Sequence, residues 1–299
     1  MTATTFSSRL SRWLLSSLAL LLVAGLGATP LFAQEGGGSS SADQQKLKQL
    51  KQSFRTGLKA AKANNSSEAY TQLEQALQLA QETEQSGAAN QITGYLQQLP
   101  KQWGNAAIEN ENWSGALTHF EKGIMHAEND AYMYYGKGLS LINMDSTETG
   151  LSAMQQAIQV GNETGNTRVS GLASDRVRGH FLNIASEALN GNNLSSSQIS
   201  TALDALDEMR NYVEPNAETL FYRALALFER GSHEEAIQTA QQGLDMHEGS
   251  RSDAAKYYFV IAESQMRTGS KQQACQTFQN AAYGDYQARA EHYLKNECE

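Results

Sequence analysis

Two cysteines, Cys275 and Cys298, are the chain's only thiols, and both fall in the closing stretch GSKQQACQTFQNAAYGDYQARAEHYLKNECE. They can pair as a disulfide, which persists only in an oxidising compartment. They can also be unrelated, one buried in a helix and one at the terminus. No recognisable base stands beside either, so a nucleophile's pattern is absent. The histidines offer little more. HFEK at His119 and HEEA at His233 lack the second His four residues on that a zinc protease uses. His119 and His126 are spaced to face one way on a helix, a pattern commoner for solvated side chains than for metal ligands. His180, His247 and His292 stand alone. No Gly-rich loop leads into a Lys-Ser or Lys-Thr pair, so a phosphate cradle is not expected either. The N-x-S/T sequences at Asn64, Asn65, Asn112, Asn162 and Asn193 arise readily in a chain this rich in Asn and Ser. These residues predict a protein that is not an enzyme and holds no metal or cofactor.

The compartment is read from the other end. Arg9 and Arg12 precede an apolar run from Trp13 to about Gly27, followed by small residues, Pro30 and Leu31-Phe32-Ala33. That order is a signal peptide over residues 1–33 with cleavage after Ala33. Leu31 meets the small-x-small rule only in part. An uncleaved anchor is the alternative, but the run falls short of the roughly 18–20 residues a spanning helix needs. No cysteine stands near the cut to carry a lipid. The expected location is periplasmic or secreted. Residues 34–43 open with QEGGGSSS and read as a flexible linker.

Charge narrows the partners. The chain has 23 Lys and Arg against 32 Asp and Glu, a net charge of −9. Losing Arg9 and Arg12 with the signal peptide makes it more negative. No run of Lys or Arg interrupts this, so phosphate backbones and anionic lipid are not expected partners. A membrane would be met only through an uncleaved N-terminal anchor.

The remaining residues, 44–299, show self-similarity. Aligning WGNAAIENENWSGALTHFEKGI with KGLSLINMDSTETGLSAMQQAI places Gly104 on Gly138, Ala116 on Gly150 and Phe120 on Met154. Ala224 and Ala262 take the place of Gly104 in two later copies, and Ala236 and Ala274 that of Ala116. An earlier copy has Gly57, Ala69, Leu73 and Ala76. Leu220, Ala224 and Leu227 mark one face of a helix, and Ala69, Leu73 and Ala76 mark one face of another. Short polar turns such as ERGSH, MRTGS and ENENW separate the two helices of a copy. Each copy is thus a helix hairpin whose small residues permit close approach.

This pattern resembles the tetratricopeptide repeat family, over about residues 44 to 286. Five copies match, starting near residues 50, 97, 131, 217 and 255. A degenerate sixth lies near 180–213, with Ile199 at a small-residue position. Residues 81–96 are expected to lengthen helices. Residues 161–179 are expected to form a glycine-rich loop and the start of a longer helix. The resemblance implies an all-α, right-handed superhelical solenoid of antiparallel helix hairpins with a C-terminal capping helix over 287–297. It also implies an exported, non-catalytic scaffold that holds a protein or peptide partner in a concave groove. An envelope module for a glycan or peptidoglycan fragment is the alternative. Groove positions implied by the family are Lys101, Asn105, Tyr132, Tyr135, Leu139, Phe221, Leu225, Phe259 and Glu263, although the aromatics among them also fit an inter-repeat core. Lys101 with Asn105 resembles the family's clamp for a terminal carboxylate, but Gly136 stands where the clamp needs Asn.

The hairpin pattern returns the argument to the cysteines. Cys275 sits on the second helix of the last copy, YGDY is a turn, and QARAEHYLKNE is one more helix. The arms on either side of the turn are about 12 and 18 Å long. An antiparallel pair therefore brings Cys298 within about a helical turn of Cys275. Envelope tetratricopeptide proteins look similar at this end, and a Cys275–Cys298 bridge pinning the cap is expected.

Overall fold

A computed structural model of the protein describes residues 41–191 and 193–298. The expected signal peptide and most of the linker lie outside the described residues. The described chain separates into two compact units, the first ending at Asp145 and the second beginning at Ser146.

The first unit contains α1 (Ser41–Lys62), α2 (Ser66–Glu82), α3 (Ser86–Glu109), α4 (Trp113–Ile124) and α5 (Ala131–Asn143). Consecutive helices pack on one another, and α3 also meets α5. The second contains α6 (Thr147–Glu163), α7 (Thr167–Ala188), α8 (Ser196–Met209), α9 (Ala217–Arg230), α10 (His233–Asp245), α11 (Arg251–Arg267), α12 (Lys271–Ala281), a 3-10 turn (Gly284–Tyr286) and α13 (Gln287–Glu297). Here too neighbours in sequence are neighbours in space. Hairpins α1–α2 and α3–α4 fill the first unit beside α5. Hairpins α7–α8, α9–α10 and α11–α12 fill the second between α6 and the closing α13. No strand occurs among the described residues.

The turns explain why the chain folds back so often. Successive helices are joined by short turns with a residue in the left-handed conformation, at Asn64, Glu84, Glu111, Gly165, Gly231 and Gly269. Such a residue ends a helix by satisfying its last carbonyls. The next residue often caps the following helix. Asn65 accepts from the Glu68 N–H and Asn112 from the Gly115 N–H. Ser195 with Gln198, Asn216 with Thr219 and Ser250 with Asp253 form reciprocal capping boxes.

The spacing read from sequence is the packing code. Ala69, Leu73, Ala76 and Ala80 are fully buried along one face of α2, and Ala224, Ala236, Ala262 and Ala274 are fully buried in later copies. Phe120 of α4 is fully buried with its ring pressed between two glycines. A Cβ on Gly104 of α3 would lie 2.7 Å from that ring, and one on Gly136 of α5 would collide with it outright. Each fully buried Leu or Phe contributes about 1.5–3 kcal/mol, so the small residues matter because they admit the large ones.

Several boundaries differ from expectation. Helix α1 begins at Ser41, so the last residues of the expected linker are helical. Residues 81–96 do lengthen helices, ending α2 and supplying the first turns of α3. Residues 161–179 do start the longer helix α7, but in place of a glycine-rich loop only a short turn around Gly165 separates it from α6, and Gly171 and Gly179 sit inside α7. The capping helix occupies 287–297 as expected.

Candidate functional site

In the first unit, four of the expected groove residues form one connected cluster on α3 and α5. Lys101 and Asn105 stand one turn apart on α3, and Tyr132 and Tyr135 one turn apart on α5. The Lys101 ammonium donates to Asp130 Oδ2 at 2.6 Å and lies 5.2 Å from the centre of the Tyr132 ring. The Tyr132 hydroxyl donates to Asn105 Oδ1 at 2.9 Å, and the Tyr132 and Tyr135 rings are 6.1 Å apart. All four side chains, and Leu139 a turn beyond Tyr135, are half-buried. Half burial with polar groups held in place suits recognition: rotamers are ordered before a partner arrives.

Asp130 was not singled out from the sequence. It caps α5 by accepting from the Tyr132 N–H while it holds Lys101. An Asp directly before a helical run is the signal that marks it. Its carboxylate occupies the ammonium a carboxylate clamp would use. The Phe120 ring fills the space where Gly136 would need an Asn side chain. This pair of contacts argues against the clamp.

Beside this cluster the helices α2, α3 and α4 bring Tyr70, Trp103, His119 and Lys122 together. Trp103 meets the Tyr70 ring edge-on at 5.2 Å, and Lys122 lies 4.6 Å from the same ring. The Tyr70 hydroxyl is 3.2 Å from His119 Nδ1. Burial raises the Tyr70 pKa well above its usual value, helped by Glu74. Burial, with the Lys122 charge, pulls His119 below its ordinary value of 6.5. His119 and His126 do face the same helix, but they meet different residues: His126 Nε2 lies 3.8 Å from Glu74. Among the described residues no group of three or more His, Cys, Asp or Glu gathers at a metal's distance.

In the second unit two expected groove residues are core. Phe221 is 7 % exposed and packs with Ala224, Ala240, Tyr257, Val260 and Ile261. Phe259 is 1 % exposed and packs with Phe278, Ala281 and Ala290. The first helix of a hairpin meets both its own partner and the following hairpin, and these aromatics point into that seam. At Phe259 the seam is closed by α13, whose Arg289 guanidinium lies 4.2 Å above the ring. Leu225 is half-buried against the neighbouring helices. Glu263 is also held by the cap. The Tyr293 hydroxyl donates to its Oε1 at 2.9 Å, and Arg289 is 3.7 Å from the same oxygen. Desolvation nonetheless raises the Glu263 pKa, because these partners only partly offset burial. Glu263 still lines an open cleft of about 550 Å³ with Arg289, His292 and Tyr293.

The cap itself is built from aromatic stacking and the disulfide. Tyr293 lies flat on Phe278, with ring centres 4.5 Å apart. Cys275 of α12 and Cys298 at the end of α13 are bonded, with 5.7 Å between their Cα atoms.

No family profile matches this chain, and no curated protein does. Among solved structures it is similar to a tetratricopeptide repeat protein from Parabacteroides merdae ATCC 43184. Identity is 11 %, the match covers 83 % of this chain and 98 % of that one, and the TM-score is 0.28. The fold assignment rests on the chain's own geometry: small residues seat the large side chains of neighbouring helices, and short left-handed turns join them. The described residues of each unit are therefore all-α and built of antiparallel helix hairpins.

Proposed function

We propose that the chain is a non-catalytic scaffold that binds a protein or peptide, exported to the periplasm or beyond the cell. The observation that carries this is the Lys101–Asn105–Tyr132–Tyr135 cluster. It places a cation, an amide and two aromatic rings on neighbouring first helices, held by mutual hydrogen bonds and still partly open. That mixture suits an extended polypeptide, offering backbone partners and ring faces together. The two cysteines support export, since a disulfide persists in an oxidising compartment.

Photocrosslinking tests the site. A benzophenone side chain is placed at Asn105 or Leu139, with exposed positions Thr71 on α2 and Thr118 on α4 as controls. A discrete adduct from the first pair and none from the controls is the expected result. Adducts of equal yield from all four positions would remove the cluster from the site. Export is checked separately by sequencing the mature N-terminus, which should begin at Gln34; an intact start at residue 1 or 2 would sink cleavage.

A further inference from the structure

Helix α1 departs from the acidic character of the chain. It holds Lys46, Lys48, Lys51, Arg55, Lys59 and Lys62 against a single acid, Asp43. Lys46 turns to Glu82 at 2.8 Å. The other five follow one another at steps of three, four, four and three residues, and all five are exposed. At 100° per residue they fall in a stripe about 80° wide and about 21 Å long. The opposite face carries Leu50, Ser53, Gly57 and Ala60, buried against α2. Among the described residues Lys48, Arg55, Lys59 and Lys62 have no ion-pair partner. Like charges at i, i+3 and i, i+4 disfavour a helix. Arg55, Lys59 and Lys62 stand at such steps, and an external anion would relieve their repulsion.

We propose that this stripe docks the protein on a membrane surface rich in anionic phospholipid, with the cations set against headgroup phosphates. Shape favours this occupant. The stripe is straight, lies on the first described helix and carries no aromatic residue at its own positions. It therefore fits a plane of charge better than a single ligand or a stacked base. The acidic remainder does not forbid docking, because screening limits repulsion to about 8 Å at physiological salt. The average composition argues against anionic surfaces; this one face does not. The inference is independent of the α3–α5 cluster.

Flotation of the full chain with phosphatidylcholine vesicles, with and without 30 % phosphatidylglycerol added as a probe at about that level, tests it. The comparison protein carries Lys48→Gln, Lys51→Gln, Arg55→Gln, Lys59→Gln and Lys62→Gln. Any contribution of residues 1–40 is common to both and cancels. The native chain should prefer the anionic vesicles, lose that preference in 0.5 M salt (on the order of three times the physiological level), and lose it in the five-residue variant. Lys59→Gln alone should weaken partitioning about five-fold. Replacing the four lysines by Arg should preserve binding, which separates charge loss from misfolding. Equal anionic preference in native and five-residue variant would overturn the proposal. So would stripe-dependent binding to polyglutamate or an oligonucleotide without any to vesicles.

Discussion

Two glycines of α3, Gly94 and Gly104, provide a matched test of the packing logic. Ala is favoured over Gly by about 1 kcal/mol in a helix interior, and this gain applies to both positions. At Gly94 a new Cβ meets nothing within 4 Å. Gly94→Ala should therefore stabilise by about 1 kcal/mol. At Gly104 the Cβ would lie 2.7, 2.8 and 2.9 Å from three ring atoms of Phe120. The ring cannot retreat, because Gly136 backs it from α5. Overpacking of this kind costs about 1–3 kcal/mol. The helix term cancels in the comparison, so Gly104→Ala should be less stable than Gly94→Ala by about 1–3 kcal/mol. Trp103 and Trp113 both lie in the first unit, so urea unfolding followed by their fluorescence reads it directly. Adding Phe120→Leu should recover part of the loss, with a coupling of about 0.5–3 kcal/mol. A gap under about 0.5 kcal/mol between the two alanine variants, or no coupling to Phe120, would refute the idea that the small residue exists to seat the ring.

Burial and Lys122 depress the His119 pKa, so as pH falls below 6.5 the unfolded chain takes up this proton first. Stability of the first unit should level off above that pH and decline below it, and His119→Gln should flatten the decline; an unchanged slope counts against the assignment. Reducing the Cys275–Cys298 bridge should cost the second unit about 3 kcal/mol and open α13 to hydrogen exchange; unchanged protection across 287–297 would show that stacking alone holds the cap. Glu111 sits at φ 56°, a strained value for a residue with a Cβ, so Glu111→Gly should raise stability by about 1 kcal/mol in the same urea assay. Phe221→Ala should cost about 3–5 kcal/mol as a core truncation, whereas Tyr135→Ala should reduce crosslinking at the α3–α5 cluster with a smaller loss of stability; equal losses would return Tyr135 to the core.

Much of this protein is legible in its sequence because a helix repeats every 3.6 residues and a hairpin array repeats its helices. The spacing of Gly57, Ala69, Leu73 and Ala76, and of Gly104, Ala116 and Phe120, is enough to place paired helices and the side chains that join them. The last turn and helix follow from the same rhythm, and with them the partner of Cys275. The cationic stripe of α1 is also written in the sequence, but as a period rather than a run, so counting contiguous Lys and Arg passes over it. Tertiary structure decided what period alone leaves open. Phe221 and Tyr135 occupy comparable places on first helices, yet Phe221 enters a seam filled from α10 and α11 while Tyr135 stays half-exposed beside Tyr132. Phe259 and Glu263 are covered by α13, which lies beyond the hairpin they belong to. A side chain's periodicity says which way it points from its own helix. Burial depends on what the rest of the chain places in front of it, and that is a property of the packed array.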